Sequence, residues 1–391
     1  MPLPRLRIVA DAHIWGVSDA FAHFPGYATE LTVVEHKAIT PALLRHADVL
    51  VVRSSTRVDA ALLAGSPVRF VGTATVGDDH IDQAWLGEAG IAFASAAGSS
   101  TGSVVEYWIT SLLDLHARGI IALPGLCLGV IGVGRIGGRI ADMAEALGLR
   151  VLRNDPPRAR GQKGSDFSQL ETLLGACDVL TLHTPLTLEP PDATRHLLDA
   201  RTLNAFCGHG IINTARGAVI DNEALAAWLD IDSGRFAVLD CWEHEPGISR
   251  RLLAHPQVSI ATPHIAGHSL DGKAANTRFV YQALCTFLDC PSAWDSVTQL
   301  PAPIPATHDI PCTGDTWLDL HRAATALYPI GRDDKTLRVA LTLDDADLAA
   351  AFRTQRRHYA VRRAWDIQGI RFAGAGPELL ALARAIGLKT I

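Results

Sequence analysis

The sequence predicts an α/β fold with two doubly wound parallel sheets in succession, followed by a small C-terminal α+β region. Three observations carry that reading. Short apolar, β-rich runs alternate with segments of helical periodicity, the pattern of strands joined by crossover helices. One of these runs, L-C-L-G-V-I at 126–131, passes directly into a glycine-rich turn. Several later runs end in short polar motifs, as strands do when they deliver side chains to one edge of a sheet.

Taken in order, residues 7–10, 49–52 and 69–71 read as buried strands, with helices at 40–46 and 60–64 between them. At 103–116 the pattern changes to a long helix, with apolar positions three to four residues apart. A second unit begins after Pro124. Its first strand enters the turn at 132–137, and the helix 135–147 then sets Ile136, Ile140, Met143 and Leu147 on one face. Strands follow at 149–154, 178–183, 210–213, 237–239 and 258–261. Pro301, Pro303, Pro305 and Pro311 mark a stiff linker. Beyond it, 337–343 and 367–372 read as strands around a helix at 345–359.

Composition narrows the function. With 391 residues, 48% of them hydrophobic, the chain is long enough for two or three globular domains. A net charge of -6 offers no broad basic field for a nucleic-acid backbone. No membrane span or apolar leader is read, so a cytoplasmic location is expected. The 7 cysteines are scattered without a C-x-x-C pair, which suggests reduced packing residues and no structural metal site.

The turn itself is G-V-G-R-I-G. Gly132 permits the tight turn, Gly134 lets backbone approach a pyrophosphate, and Gly137 allows close packing of helix on strand. Arg135 and Ile136 open a helix whose free N–H groups favour phosphate. Asp155 closes the next strand, where a carboxylate accepts from ribose hydroxyls and repels a 2′-phosphate, so NAD is expected. Arg153, Arg158 and Arg160 nearby keep NADP as an alternative, and a purely structural turn is the plainer reading of the glycines.

Three strand-end motifs supply the reactive groups: Arg216 in N-T-A-R-G, Glu245 in D-C-W-E-H-E-P and His264 in T-P-H-I-A-G. A guanidinium matches a carboxylate with two donors, an imidazole exchanges protons near neutral pH, and a carboxylate orients that imidazole. These are the parts needed to oxidise a 2-hydroxy acid. Taken singly, each has an ordinary structural reading as a turn cap, a solvated carboxylate or a core histidine. Asp240 reads either as a contact to the nicotinamide end of the cofactor or as a solvated turn carboxylate.

Together with H-T-P-L at 183–186, these motifs resemble the D-isomer-specific 2-hydroxyacid dehydrogenases. V-R-S-S-T at 52–56, F-V-G-T-A-T-V-G-D-D-H-I-D at 70–82, N-D-P-P-R at 154–158 and H-S-L-D-G-K at 268–273 are similar to a subgroup acting on a phosphorylated substrate. The resemblance implies a Rossmann NAD domain at 102–267 and a flavodoxin-like substrate domain at 1–101 and 268–295, flanking a cleft. It also implies a dimerisation domain at 300–391, hence a homodimer. Arg216, Glu245 and His264 take the catalytic positions. Asp155, Thr184, Thr214, Ala215, Asp240 and Gly267 join the glycine turn in holding NAD. Ser54, Thr75 and His268 take substrate positions, with His268 standing where a tyrosine is usual and Ser100 where an asparagine is usual. Arg53 is a candidate for the phosphate. Arg356, Arg357, Arg362 and Arg363 read first as a solvated helix face and second as further phosphate ligands. Rival readings are a dehydrogenase for another acid, such as 3-phosphoglycerate, and a non-catalytic NAD-sensing protein.

Overall fold

The computed structural model describes residues 2–162, 166–359 and 362–391. It divides into two compact units, Met1–Ser100 with Ser269–Ala302, and Thr101–His268 with Pro303–Ile391.

The first unit is a five-stranded sheet of β1 (Arg5–Asp11), β2 (Ala28–Val34), β3 (Val49–Val52), β4 (Phe70–Thr73) and β5 (Ala92–Ser95). All pairs are parallel, in the order β2-β1-β3-β4-β5, the flavodoxin-like arrangement. The helix Leu270–Phe287 returns to this unit and buries Val280, Tyr281 and Leu284 against Leu6, Ile8 and Val49. Strands β2 and β5 lack a sequence signal. Both are sheet edges with no buried residue, so neither carries the unbroken apolar run that marks β3.

The second unit is a six-stranded parallel sheet of β6 (Cys127–Ile131), β7 (Arg150–Asn154), β8 (Val179–Leu182), β9 (Gly210–Asn213), β10 (Phe236–Leu239) and β11 (Val258–Ala261). Its order is β11-β10-β9-β8-β6-β7. The direction of winding reverses between β6 and β8, which puts the turn at 132–137 where open α/β sheets bind ligands. The helix Thr101–Ala117 is buried along most of its length, with Trp108 and Leu112 fully enclosed. Each such side chain contributes roughly 1.5–3 kcal/mol by leaving water.

The C-terminal residues add a three-stranded parallel sheet, β12 (Thr307–Pro311), β13 (Gly369–Ala373) and β14 (Lys389–Thr390). They also add helices at Thr316–Leu327, Ile330–Val339, Asp345–Arg357 and Pro377–Ala385. This segment shares its core with the dinucleotide sheet. Leu320, Leu327, Trp365 and Ile370 pack in one cluster with Trp108 and Val130, and Leu337, Leu348 and Phe352 in another with Leu252 and Val258.

Two expectations are corrected here. The run 337–343 is not a strand: it closes the helix Ile330–Val339 and continues into a 3-10 turn, Ala340–Thr342. Its local β-branched bias is overruled by burial at Ile330, Leu337 and Ala340, a helical spacing, while Val339 remains 68% exposed. Arg362 likewise lies on no solvated helix face. It follows the helix Asp345–Arg357 and is buried.

Candidate active site

The expected reactive groups, Arg216, Glu245 and His264, sit at the carboxyl ends of neighbouring strands β9, β10 and β11. The T-P-H-I-A-G loop leaves β11 and is folded around Asp240, which closes β10 and is 1% exposed. The Asp240 carboxylate accepts from Thr262 Oγ1 at 2.7 Å and from the Ile265 and Ala266 amides at 2.7 and 3.0 Å. Its carbonyl accepts from the His264 amide at 2.8 Å. Asp240 is thus an internal anchor of the loop, not a solvated turn residue. Burial pushes its carboxyl up, opposed by the His264 charge and by these donors.

The loop presents His264 with φ at +56°, a backbone state that costs a non-glycine residue on the order of 1 kcal/mol and is held by its surroundings. Its Nδ1 lies 2.8 Å from Glu245 Oε2. The other Glu245 oxygen accepts from the Trp242 amide at 2.8 Å, and the Trp242 indole donates to the Thr262 carbonyl at 2.9 Å. The carboxylate and the histidine loop are therefore locked to one another. Burial works to raise the Glu245 carboxyl. The His264 and Arg356 charges and the bonds from His264 and Trp242 outweigh it, and the group is held below the usual carboxylate range.

Arg216 starts the 3-10 turn Gly217–Val219 just after β9. Asn213 Nδ2 donates to the Arg216 carbonyl at 3.0 Å, and Arg216 itself donates to the Ala215 carbonyl at 2.8 Å. Gly217 is required beside it, since a Cβ there would stand 1.9 Å from the Trp242 carbonyl. Arg216 and Glu245 converge on Cys241. Burial, then the Asp240 and Glu245 charges, drive that thiol well up, while Arg216 and Arg356 oppose them. Arg356, on the last turn of Asp345–Arg357, is thus a member of the arginine cluster whose charge reaches this site.

The residues expected at the nucleotide end surround the turn after β6. Gly132 has φ at +83°, and a Cβ there would meet the Thr184 amide at 2.8 Å. A Cβ on Gly137 would lie 1.9 Å from the Gly132 carbonyl. Gly134, by contrast, faces open space, room that a phosphate approaching the Arg135–Ala146 helix start would fill. Thr184 Oγ1 is buried without a hydrogen-bond partner, as a hydroxyl reserved for a ligand would be. Thr214 is buried with its hydroxyl 3.3 Å from His183 Nδ1, and the Ala215 amide donates to Asn213 at 3.0 Å. Gly267 is half-buried at the end of the histidine loop.

Asp155 accepts from the Val133 amide at 2.8 Å and the Arg158 amide at 3.1 Å, leaving lone pairs for ribose hydroxyls. The three neighbouring arginines are already engaged. Arg153 bonds Glu145 at 2.6 and 2.9 Å, Arg158 bonds the Val133 carbonyl, and Arg160 pairs with Asp192. None is held in reserve for a 2′-phosphate, and the residues fit NAD.

Residues 110–266 match the family model described as D-isomer specific 2-hydroxyacid dehydrogenase, NAD binding domain. An erythronate-4-phosphate dehydrogenase of Azotobacter vinelandii is 43% identical over 99% of this chain and 100% of its own length. The chain belongs to the erythronate-4-phosphate dehydrogenase family. The member from Pseudomonas fluorescens is 42% identical over 98% of this chain and 100% of its own. Among solved structures, TT0316 of Thermus thermophilus is 28% identical with a TM-score of 0.59, and the match covers 74% of this chain and 99% of that one. About a quarter of the chain lies outside that structural match.

In this member of the erythronate-4-phosphate dehydrogenase family, the remaining expected residues lie in the first unit or at its boundary. Arg53 and Ser54 follow β3, and Thr75 follows β4, with its hydroxyl bonded to Thr73 at 2.8 Å and to the Gly77 carbonyl at 2.9 Å. His268 ends the histidine loop, its ring 6.2 Å from that of Tyr359. Lys273 joins Arg53: burial first, and then the Arg53 charge, pull the Lys273 ammonium down. Its only sequence signal is its place in H-S-L-D-G-K, because the cation it faces comes from a distant part of the chain.

Proposed function

We propose that the protein oxidises 4-phospho-D-erythronate at C2 to 2-oxo-3-hydroxy-4-phosphobutanoate, with NAD as acceptor, in pyridoxal 5′-phosphate biosynthesis. The observation that carries this reading is the His264–Glu245 bond of 2.8 Å at the strand ends beside Arg216, in a chain related over its full length to erythronate-4-phosphate dehydrogenases. Bound NAD supplies the acceptor for the hydride that leaves C2. Arg216 grips the substrate carboxylate with paired N–H donors and orients C2. His264, tied to Glu245 through Nδ1, offers Nε2 to the C2 hydroxyl and takes its proton as the carbonyl forms. Glu245 stays ionised and favours the imidazolium without accepting the proton itself. Asp240 keeps the loop in register, and its free lone pair serves the nicotinamide end.

The Arg53 charge bears on the half-buried Lys273 ammonium, so both can present positive charge to one dianion. We assign the substrate phosphate to them, with Ser54 and Thr75 as neutral donors. We further propose a cytoplasmic homodimer, in which the C-terminal region covers the exposed Val339 and Leu343. Light scattering at micromolar concentration tests it, and a monomer would refute it. The activity is tested by following NADH formation with 4-phosphoerythronate, 3-phosphoglycerate and unphosphorylated erythronate in parallel. The reading expects the highest kcat/KM for the first. Faster turnover of 3-phosphoglycerate, or none with any acid, would overturn it.

A further inference from the structure

We infer that the C-terminal segment is part of the catalytic scaffold, with Asp334 and Arg362 as positioning residues that fix the two ends of the loop carrying His264. The inference rests on the acid–base role proposed above.

Strand β11 is the outer strand of its sheet, so half of its backbone groups have no strand partner. The C-terminal helix Ile330–Val339 supplies partners from its side chains. Asp334 Oδ1 accepts from the Ala261 amide at 2.8 Å, three residues before His264. Arg338 is held to Asp334 at 2.9 Å and donates to the carbonyls of Leu253, at 2.7 Å, and Val258. The near end of the loop is thereby fixed from outside the sheet.

The far end is fixed by Arg362. Its guanidinium pairs with Glu106, donates to the Ser103 carbonyl at 2.9 Å and reaches the Ala266 carbonyl at 3.4 Å. It also lies 4.3 Å from the centre of the Tyr328 ring. Glu106 accepts in turn from the Trp365 amide at 2.9 Å, so the carboxylate that holds the guanidinium is itself fixed. A little further on, His268 rests against Tyr359, whose hydroxyl donates to Asp333 at 2.7 Å. On the inner side the loop meets Asp240, Tyr107, Trp242 and Glu245; Asp334, Arg362 and Tyr359, all beyond 330, contact it at 261, 266 and 268. A histidine at positive φ is a conformation that must be imposed by its surroundings, and these contacts impose it.

The test compares Asp334→Ala, Asp334→Asn and Arg362→Lys with His264→Asn and with Arg235→Ala. The last is a stability control that loses a bond to the Trp228 carbonyl and a stacked contact away from the loop. Asp334→Ala and Arg362→Lys are expected to lower kcat at least ~10-fold, with KM for 4-phosphoerythronate and Kd for NADH within about 3-fold of the parent. Asp334→Asn, which keeps an oxygen for the Ala261 amide, recovers most of that kcat. Arg235→Ala lowers the thermal midpoint and leaves kcat unchanged. If His264→Asn abolishes turnover while Asp334→Ala and Arg362→Lys retain it, the bracing role is wrong. If His264→Asn itself turns over normally, the acid–base reading beneath it is wrong. Should Asp334→Ala not fold, Arg362→Lys still decides the matter: a kcat at the parent's level refutes the bracing role.

Discussion

Replacing Glu245 by glutamine keeps an oxygen at hydrogen-bond distance from His264 while removing the charge that favours the imidazolium. The two groups are 2.8 Å apart, and their side chains are 18% and 26% exposed. At an effective dielectric of about 20, unit charges about 4 Å apart attract by roughly 4 kcal/mol. The amide retains part of that through its dipole. A loss of about 2–3 kcal/mol follows, or about 30- to 150-fold in kcat, with little change in Kd for NADH. Steady-state assays against stopped-flow binding of NADH separate the two terms. The stability consequence has a defined sign. Because the folded carboxyl is held below its ordinary 4.5, its contribution is present above that value and disappears as pH falls through the lower folded one. Urea midpoints should therefore drop in acid for the parent and drop less for Glu245→Gln. A kcat within about 3-fold of the parent would refute the electrostatic role.

Gly137→Ala should lower the thermal midpoint, at a cost of about 1–3 kcal/mol from the clash with Gly132, and weaken NADH binding; Gly134→Ala should weaken binding with the midpoint unchanged, as fluorescence titration and calorimetry would show. Burial pushes the His183 imidazole from 6.5 down to about 3, so the unfolded chain takes up a proton that the folded one refuses. Stability is then lost as pH falls through that window, and His183→Asn should flatten the loss in urea titrations. Lys273→Gln should raise KM for 4-phosphoerythronate at least ~10-fold and leave KM for unphosphorylated erythronate nearly unchanged; equal effects on both acids would reject the phosphate assignment.

The parts of the site that sequence makes legible are those written at strand ends. Arg216, Glu245 and His264 each follow a short apolar run, and Gly132 and Gly137 occupy positions where added atoms would strike backbone. What is hidden has a common physical cause. Strands β2 and β5 are half-solvated edges, so no apolar period announces them. The segment 337–343 looks β-like locally, yet its burial pattern follows the surface it covers. Asp240 resembles any turn carboxylate until its three donors are known. Asp334, Arg362 and Lys273 act on groups brought near only by folding, and side chains that serve distant backbone or distant charge leave no local pattern.

The arginines around Asp155 carry a lesson for cofactor engineering. In many schemes the acidic residue after the second strand is simply neutralised to admit a heavier, phosphorylated dinucleotide. Here that change would find the neighbouring Arg153 tied up by Glu145 and Asp142. Asp155 also holds the Val133 amide and the start of the next helix, so its removal would loosen the nucleotide turn as well. Redirecting this chain would take a coordinated exchange: a neutral polar residue that still accepts from Val133, together with the release of Arg153 by removing its carboxylate partners.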